Sequence, residues 1–163
     1  MSKTNFRLAT EKDTALILEF IKGLAEYEKM TDLVVANEDL LREWIFEKEK
    51  SEVIFALENG VEVGFALFFH NFSTFLGRAG IYLEDLYVKP EYRGRGHGKA
   101  LMIELARITA ERGCGRLEWS CLDWNKSSIE FYRSLGAESL DEWTTFRLAG
   151  DSLTTFLHGD KKP

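Results

Sequence analysis

The chain has 163 residues, with 27 acidic and 21 basic side chains and a formal net charge of -6. This length can bury one hydrophobic core, and the acidic balance argues against a protein that binds nucleic acid through phosphates. No apolar run approaches the roughly 20 residues of a membrane span. The start, "MSKTNFRLAT", is too polar for a signal peptide. We therefore expect a single cytoplasmic domain over residues 1–163, with no membrane partner.

The first half of the chain predicts a strand, two helices and a hairpin. "FRLA" (6–9) is typical of a short strand, and Thr10 is a candidate N-cap for a helix with apolar residues at helical spacing. Asn37 is a candidate N-cap for a second helix. Two apolar runs then flank Asn59 and Gly60, a dipeptide that strongly favours a hairpin.

The second half alternates strands with helices. "AGIYLEDLYV" (79–88) predicts a strand, and a glycine-rich stretch then leads into an amphipathic helix that stops near Gly113. "RLEWSCL" (116–122) alternates as a strand should.

A short helix and a final strand complete the predicted order. Ser127 with Glu130 has the spacing of a capping box, and Gly136 marks a helix end. "EWTTFRLA" (142–149) predicts the last strand. The resulting order, β-α-α-β-β-β-α-β-α-β, predicts an α/β (α+β) fold with a mixed central sheet flanked by helices.

The strand at 79–88 has an irregular apolar pattern. Ile81 and Leu83 are odd-numbered, whereas Leu86 and Val88 are even-numbered. One extra residue at Glu84–Asp85 would return all four to one face, as a β-bulge does. A strand buried on both faces would also show this pattern, so both interpretations stay open.

The glycine-rich stretch, "PEYRGRGHG" (90–98), directly joins an apolar strand to an apolar helix. The start of a helix has unpaired N–H groups and partial positive charge, which favour an anion such as phosphate. Glycines let a ligand approach the backbone, and Arg or Lys adds charged contacts. A solvated turn is the alternative, but the lack of any spacer argues against it.

Two common phosphate motifs do not fit this stretch. The dinucleotide fingerprint fails because Lys99 stands where its third glycine is needed, and the mononucleotide P-loop fails at Arg93 and Ala100. The pattern present, Arg93-x-x-Gly96-x-Gly98, resembles the pyrophosphate loop of the GNAT N-acetyltransferases, which bind acetyl-coenzyme A.

The resemblance covers about residues 5 to 148 and points to one branch of that family. "YLEDLYV", "PEYRGRGHG", "LDWN" and "FYRSLGA" together resemble the diamine (polyamine) acetyltransferases and their thialysine-acetylating relatives. The likeness implies a GNAT fold with about six to seven strands and a bulged central strand. It also implies acetyl-CoA as co-substrate, a small amine as acceptor and a homodimer. One departure is Phe75, where thialysine-type members usually have tryptophan.

The resemblance assigns cofactor binding to the bulged strand, the loop and a short helix. These residues are Leu86, Tyr87, Val88, Arg93, Gly94, Arg95, Gly96, His97, Gly98, Lys99, Asn125 and Tyr132. Amides around Leu86 and Val88 would bind the pantetheine arm and the thioester carbonyl. From the residues alone, Asn125 is a cap or turn residue.

Acyl transfer to an amine requires the removal of a proton from an ammonium whose pKa is near ~10.4. A carboxylate near ~4.3 is a poor base unless burial raises its pKa or a water relays the proton. The resemblance assigns that relay to Glu84. The alternative is that Glu84 pairs with an arginine such as Arg78 and does no chemistry.

The departing thiolate needs a proton, and a phenol near pKa ~10 can supply it to a thiolate whose conjugate acid lies near ~8.5. By the resemblance, Tyr132 is this general acid. Packing beside Phe131 is its alternative role.

The remaining polar candidates concern the amine and metals. Tyr27 and Glu28, with Glu84 and Asp85, are the expected substrate-binding residues, although an exposed helix end explains Tyr27 and Glu28 as well. The three histidines lack the spacing of metal ligands, so no metal site is predicted, and His97 is expected to face solvent.

The leading hypothesis is an acetyl-CoA-dependent N-acetyltransferase acting on a small polyamine, diamine or thialysine-like amino acid by direct attack in a ternary complex. Cys121 lies on a predicted strand, which disfavours an acyl-cysteine route. The alternatives are a protein lysine, an N-terminus or a drug as the acceptor, and a non-catalytic CoA-binding regulator.

Overall fold

The computed structural model describes residues 3–159, and the chain divides into two compact units after Ser120. The first unit holds the sheet and three α-helices. Its elements are β1 (Asn5–Leu8), α1 (Thr14–Tyr27), α2 (Glu38–Leu41), β2 (Glu52–Glu58), β3 (Val61–Ser73), β4 (Arg78–Val88), α3 (His97–Glu111) and β5 (Leu117–Trp119). The second unit holds α4 (Lys126–Ser134) and α5 (Asp151–Leu157). Among residues 3–159, no helix is long and apolar enough to cross a membrane.

Short irregular helices complete the first unit. A π-helical turn, Arg42–Glu47, continues α2, and 3-10 turns lie at Glu11–Asp13, Thr31–Leu33 and Pro90–Tyr92.

The sheet is mixed and has the order β1-β2-β3-β4-β5. Neighbours from β1 to β4 are antiparallel, and β5 runs parallel to β4. The predicted mixed sheet flanked by helices is confirmed, but the described residues form five strands rather than six or seven. β5 is also shorter than the predicted strand at 116–122.

The final strand predicted at 142–149 is wrong: this segment has no strand structure. Its apolar residues are open to solvent, with Trp143 76% and Phe146 90% exposed. Alternation alone does not make a strand, because an isolated strand needs a neighbour to bond its backbone and cover its apolar side chains.

Local sequence signals position the other elements as predicted. Asn37 caps α2 by accepting a hydrogen bond from the Leu40 N–H at 2.9 Å. Asn59 and Gly60 both have positive φ, 50° and 79°, in the tight turn that joins β2 to β3. Thr10 precedes a 3-10 turn that leads directly into α1.

The sheet is covered on both faces by helices. On one face, Phe20 of α1 stacks on Phe65 with ring centroids 5.2 Å apart and meets Tyr87 edge-on at 6.2 Å. On the other face, Gly64 leaves room for α3, because a Cβ there would lie 3.4 Å from Leu101. Two α-helices therefore hold the sheet from opposite sides, and β4 lies between them.

The β-bulge predicted in the central strand is confirmed. Asp85 is opposite Leu67 and Leu83 is opposite Phe68, so Glu84 is the extra residue on β4. Paired residues of neighbouring strands share a face, so Ile81, Leu83, Leu86 and Val88 return to one face, as the parity of the sequence indicated. Asp85 and Tyr87 lie on the α1 face.

Candidate active site

The edge of β4 beyond the bulge has no strand beside it. β5 pairs only with Ile81–Leu83, so within the described residues this edge is open from Glu84 to Val88. The Lys89 N–H donates to the Val63 carbonyl at 2.9 Å, toward β3. Since strand amides alternate in direction, the N–H groups of Leu86 and Val88 point away from β3, toward the open edge. Two backbone donors are thus available to a ligand there.

The bulge carries two carboxylates in different environments. Glu84 is exposed, and no ion pair joins it to Arg78 in the described part of the chain. That exposure leaves the water relay as the predicted route by which Glu84 would take a proton. Asp85 is half-buried beside it, on the α1 face.

A local concentration of negative charge surrounds Asp85. Burial, together with the charges of Glu84 and Glu28, raises the pKa of Asp85 to about 6. Burial also raises the pKa of Glu28, at the end of α1. We call Glu28, Glu84 and Asp85 the acidic cluster. An approaching ammonium group would relieve the repulsion among its members.

The glycine-rich loop presents bare backbone at the start of α3. Gly94 and Gly96 have φ angles of 75° and 87°, a left-handed conformation that favours glycine. A Cβ built at Gly94, Gly96 or Gly98 meets no other atom within 4 Å. The Ala100 N–H is the first to bond within the helix, to the Gly96 carbonyl at 2.9 Å. The N–H groups of 97–99 therefore precede the helical ladder and are suited to an anion.

Arg93 connects the loop with the open edge of β4. Its Nε donates to the Val88 carbonyl at 2.9 Å, and its guanidinium lies 4.8 Å from the Tyr27 ring centroid and 5.3 Å from that of Tyr87. Tyr27, predicted to recognise the amine, therefore contacts an arginine of the cofactor loop. Lys99 is exposed.

The expectation that His97 faces solvent is wrong. The residue is 2% exposed, and its Nε2 lies 2.6 Å from Glu58 Oε2. Arg95 also reaches Glu58, with Nη1 2.8 Å from Oε1. The His97 ring is therefore buried, whereas the Arg95 side chain is half exposed but held by Glu58, and both residues would meet a ligand chiefly through their backbone N–H groups. Sequence reasoning did not identify Glu58; its one signal was a charged residue ending an apolar strand beside Asn59.

Two predicted site residues lie in the second unit. Asn125, not Ser127, caps α4: its Oδ1 accepts from the Ser128 N–H at 3.4 Å. The capping box predicted at Ser127 is therefore wrong, and the Ser127 hydroxyl instead donates to Asn125 Oδ1. Tyr132 is half-buried on α4, with its ring centroid 5.4 Å from that of Phe131.

Among residues 3–159, no group of three or more His, Cys, Asp or Glu side chains could hold a metal ion. The structure brings together the strand, loop and α1 candidates within the first unit. The arrangement offers outward backbone donors, a bare helix start and an acidic cluster, which suits an anionic ligand beside a cationic one.

The sequence is similar to known proteins. Residues 19–137 match the acetyltransferase (GNAT) family. A thialysine N-epsilon-acetyltransferase of Bos taurus is 38% identical over 94% of this chain and 96% of its own length. The L-ornithine N5-acetyltransferase NATA1 of Arabidopsis thaliana is 31% identical over 92% of this chain and 86% of its own length.

A solved structure agrees with the fold. An integron cassette protein from the mobile metagenome of V. cholerae has a TM-score of 0.79 and 29% sequence identity, over 96% of this chain and 98% of that one.

Proposed function

The chain belongs to the acetyltransferase (GNAT) family, and from that premise we propose that it transfers acetyl from acetyl-CoA to a primary amine of a small diamine, polyamine or thialysine-like amino acid. The observation that carries the proposal is the bulge at Glu84, which leaves the edge of β4 open beside a glycine-rich helix start. Relatives named as thialysine and ornithine acetyltransferases, similar over most of the chain, support a small amine as acceptor.

The residues present fit the cofactor. The space around Gly94, Gly96 and Gly98 is open to a pyrophosphate, whose charge suits the N–H groups at the start of α3. The outward N–H groups of Leu86 and Val88 would hold the pantetheine arm and the thioester carbonyl. When bound, acetyl-CoA supplies a thioester carbon that an amine can attack.

The chain's own groups supply the proton transfers. Glu84, through a water, accepts the proton that the ammonium must lose, and the neutral nitrogen then attacks the acetyl carbon. A backbone N–H at the open edge of β4 stabilises the negative charge that develops on the carbonyl oxygen. As the carbon–sulfur bond breaks, the nitrogen would lose its second proton to water, and the Tyr132 hydroxyl would give its proton to the leaving sulfur and be reprotonated from solvent. Asn125 bonds the cofactor arm.

Recognition of the amine depends on the acidic cluster. Glu28 and Asp85 are partly buried beside the exposed Glu84, so a cationic substrate replaces repulsion with attraction. Tyr27, held against Arg93, would pack beside the substrate's carbon chain. A substrate with two cationic groups would place one at the reacting position and the other among these carboxylates.

An amine panel with detection of the released thiol tests the proposal, together with calorimetric titration of CoA. Acetylation of spermidine, putrescine, ornithine, lysine or thialysine is expected, with CoA binding and no binding of ATP or NAD. If only a protein lysine, an N-terminus or a drug is acetylated, the substrate class is wrong. If CoA binds but no amine is acetylated, the protein is a non-catalytic CoA-binding regulator and not an enzyme.

The Tyr132→Phe variant tests the acid. We expect turnover to fall by about 10²-fold or more, the scale of general acid catalysis, with the affinity for CoA unchanged. Phe131→Leu is the matched control, because it alters the neighbouring ring but keeps the hydroxyl. Equal turnover for Tyr132→Phe and the wild type would show that Tyr132 is not the general acid.

The proposal extends to a single catalytic domain in the cytoplasm that forms a homodimer. The family match at 19–137 runs through both units, which supports one domain. The second unit exposes many apolar side chains, which a second copy would cover: Leu140, Trp143, Phe146, Leu148, Leu153, Phe156 and Leu157. Sedimentation should show a dimer, and Phe146→Glu should shift it toward monomer; cell fractionation tests the location.

A further inference from the structure

β2 and α3 are joined by a glutamate of β2 at each end of the helix. At the start of α3, Glu58 accepts from Arg95 Nη1 at 2.8 Å and from His97 Nε2 at 2.6 Å. At the other end, Glu52 accepts from both terminal nitrogens of Arg112, at 2.6 and 2.8 Å. The two ends use the same chemistry, but only the Glu58 end adjoins the glycine-rich loop.

Glu58 is among the most enclosed charged residues of the first unit. It is 8% exposed, although it stands at the last position of β2, one residue before the hairpin turn. Hydrogen bonds from His97 and then from Arg95 keep its pKa below the ordinary value. A carboxylate enclosed in this way stays ionised because both of its oxygens have charged or polar donors.

The hydrogen-bond directions at His97 follow from its partners. An ionised carboxylate only accepts, so His97 Nε2 must donate to Glu58. The other ring nitrogen, Nδ1, lies 3.0 Å from the Thr4 hydroxyl, which can donate to it. The ring is therefore bonded on both sides, between β2 and the segment just before β1, and its rotation is blocked.

Arg95 is held in a similar way from three directions. Besides Glu58, its Nη2 donates to the Glu91 carbonyl at 3.2 Å, and its guanidinium lies 5.1 Å from the Tyr92 ring centroid. Arg95 and His97 flank Gly96, whose φ is 87°. One carboxylate thus fixes the residues on both sides of the left-handed glycine that caps α3.

This arrangement bears on how the loop can bind an anion. With the Arg95 and His97 side chains held by Glu58, the backbone N–H groups between 94 and 99, together with the exposed Lys99, are the donors that the loop offers to an anion. A glycine-rich loop that is not anchored would sample many conformations, and ordering it would reduce the affinity for a ligand.

We propose that Glu58 is a positioning residue for the cofactor: by anchoring Arg95 and His97 it holds the glycine-rich loop in the conformation that receives the pyrophosphate of CoA. This inference rests on the proposed function. Glu58 touches neither the cofactor nor the amine and acts entirely through the two loop residues.

The main test compares Glu58→Ala with Glu52→Ala, which removes the matching bond at the far end of α3. Glu58→Ala should weaken CoA binding in calorimetry, and raise the KM for acetyl-CoA, on the order of tenfold, as the loss of a charge-assisted hydrogen bond implies. Its kcat at saturating acetyl-CoA should stay within about twofold, because the reacting groups are untouched. Glu52→Ala should leave Kd, KM and kcat at wild-type values.

Variants of the two donors, Arg95 and His97, serve as a second test. They also replace the first test if the circular dichroism of Glu58→Ala shows that this variant does not fold. Arg95→Met and His97→Gln should each weaken CoA binding, and adding Glu58→Ala to both should cause little further loss, because the anchor is already gone. Hydrogen exchange at 94–99 should be faster in each variant without CoA.

The outcomes separate this inference from the proposed function. If wild-type protein binds no CoA, the proposed function is wrong. If the wild type binds CoA, and either Glu58→Ala or both donor variants bind CoA equally well, only the positioning role of Glu58 is overturned. Equal weakening by Glu52→Ala would also overturn it, because the effect would then be one of general stability.

Discussion

The two halves of β4 differ in how completely their backbone is hydrogen-bonded to neighbouring strands. From Arg78 to Leu83 the strand pairs with β3, and at Ile81–Leu83 it also pairs with β5, where Ile81 and Leu83 are almost fully buried. From Glu84 onward only β3 remains as a neighbour, and polar groups collect at the bulge. The comparison shows how one extra residue separates a strand into a part that holds the sheet together and a part that can bind.

The largest effect on stability is expected in the paired half. Leu83→Ala should reduce the free energy of unfolding by about 3 kcal/mol, through lost burial and a residual cavity. Urea denaturation measures this, and the folded fraction should keep its kcat. Ile103→Ala, at a residue 59% exposed on α3, is the control and should change stability little. A large fall in the kcat of folded Leu83→Ala would contradict the division of β4 into two roles.

The next effect belongs to the bulge itself. Glu84→Gln should lower kcat/KM roughly 100-fold near neutral pH, since the relay of the ammonium proton is lost. The deficit should shrink as pH rises, because more of the amine is then already neutral. Calorimetry should show unchanged CoA binding, and Glu11→Gln, an exposed change far from the bulge, should behave as wild type. A deficit that is constant with pH would argue against proton relay.

A smaller effect, opposite in sign, is expected at Asp85. Its pKa is raised from 3.8 to about 6. A raised pKa means that its contribution to stability is fully present below about pH 4 and is lost as pH rises through 6. Asp85→Asn should therefore stabilise the protein at pH 7 by about 2 kcal/mol and have no effect near pH 3.

Denaturation of Asp85→Asn at both pH values, with Asp32→Asn as an exposed control, measures this difference. The variant should also raise the KM for the amine, because one carboxylate of the acidic cluster is gone. Lower stability of Asp85→Asn at pH 7 would show that the charge of Asp85 does not destabilise the folded protein through burial and repulsion.

Strand parity in the sequence indicated either a bulge or a strand buried on both faces, and the family resemblance favoured the bulge. One inserted residue would place Ile81, Leu83, Leu86 and Val88 on the same face of the strand. The strand register shows that this residue is Glu84. The glycine-rich loop was equally readable, because positive φ and close approach both require glycine. The role assigned to Glu84 came from family resemblance and not from parity.

Contacts between distant segments could not be predicted. Glu58 and His97 are 39 positions apart, and nothing local tells a buried histidine from an exposed one. The strand expected at 142–149 failed for a similar reason: alternation describes side chains, whereas a strand also requires a partner elsewhere. The charge environment of Asp85 depends on Glu28, which is brought close only when α1 packs on the sheet.

The smallest effect on stability is expected at Tyr82, in the paired half of β4. Its hydroxyl lies 2.7 Å from Ser120 Oγ, and its ring centroid is 5.3 Å from that of Phe69 on β3. Tyr82→Phe keeps the ring contact and should cost only about 0.5 kcal/mol, since the hydrogen bond is exposed to water. Ser120→Ala should cost the same, and the double variant no more, because both remove one bond. All three should keep the wild-type kcat/KM. Tyr82 lies only two residues before Glu84, so a change in kcat/KM here would mean that the functional half of β4 begins before the bulge.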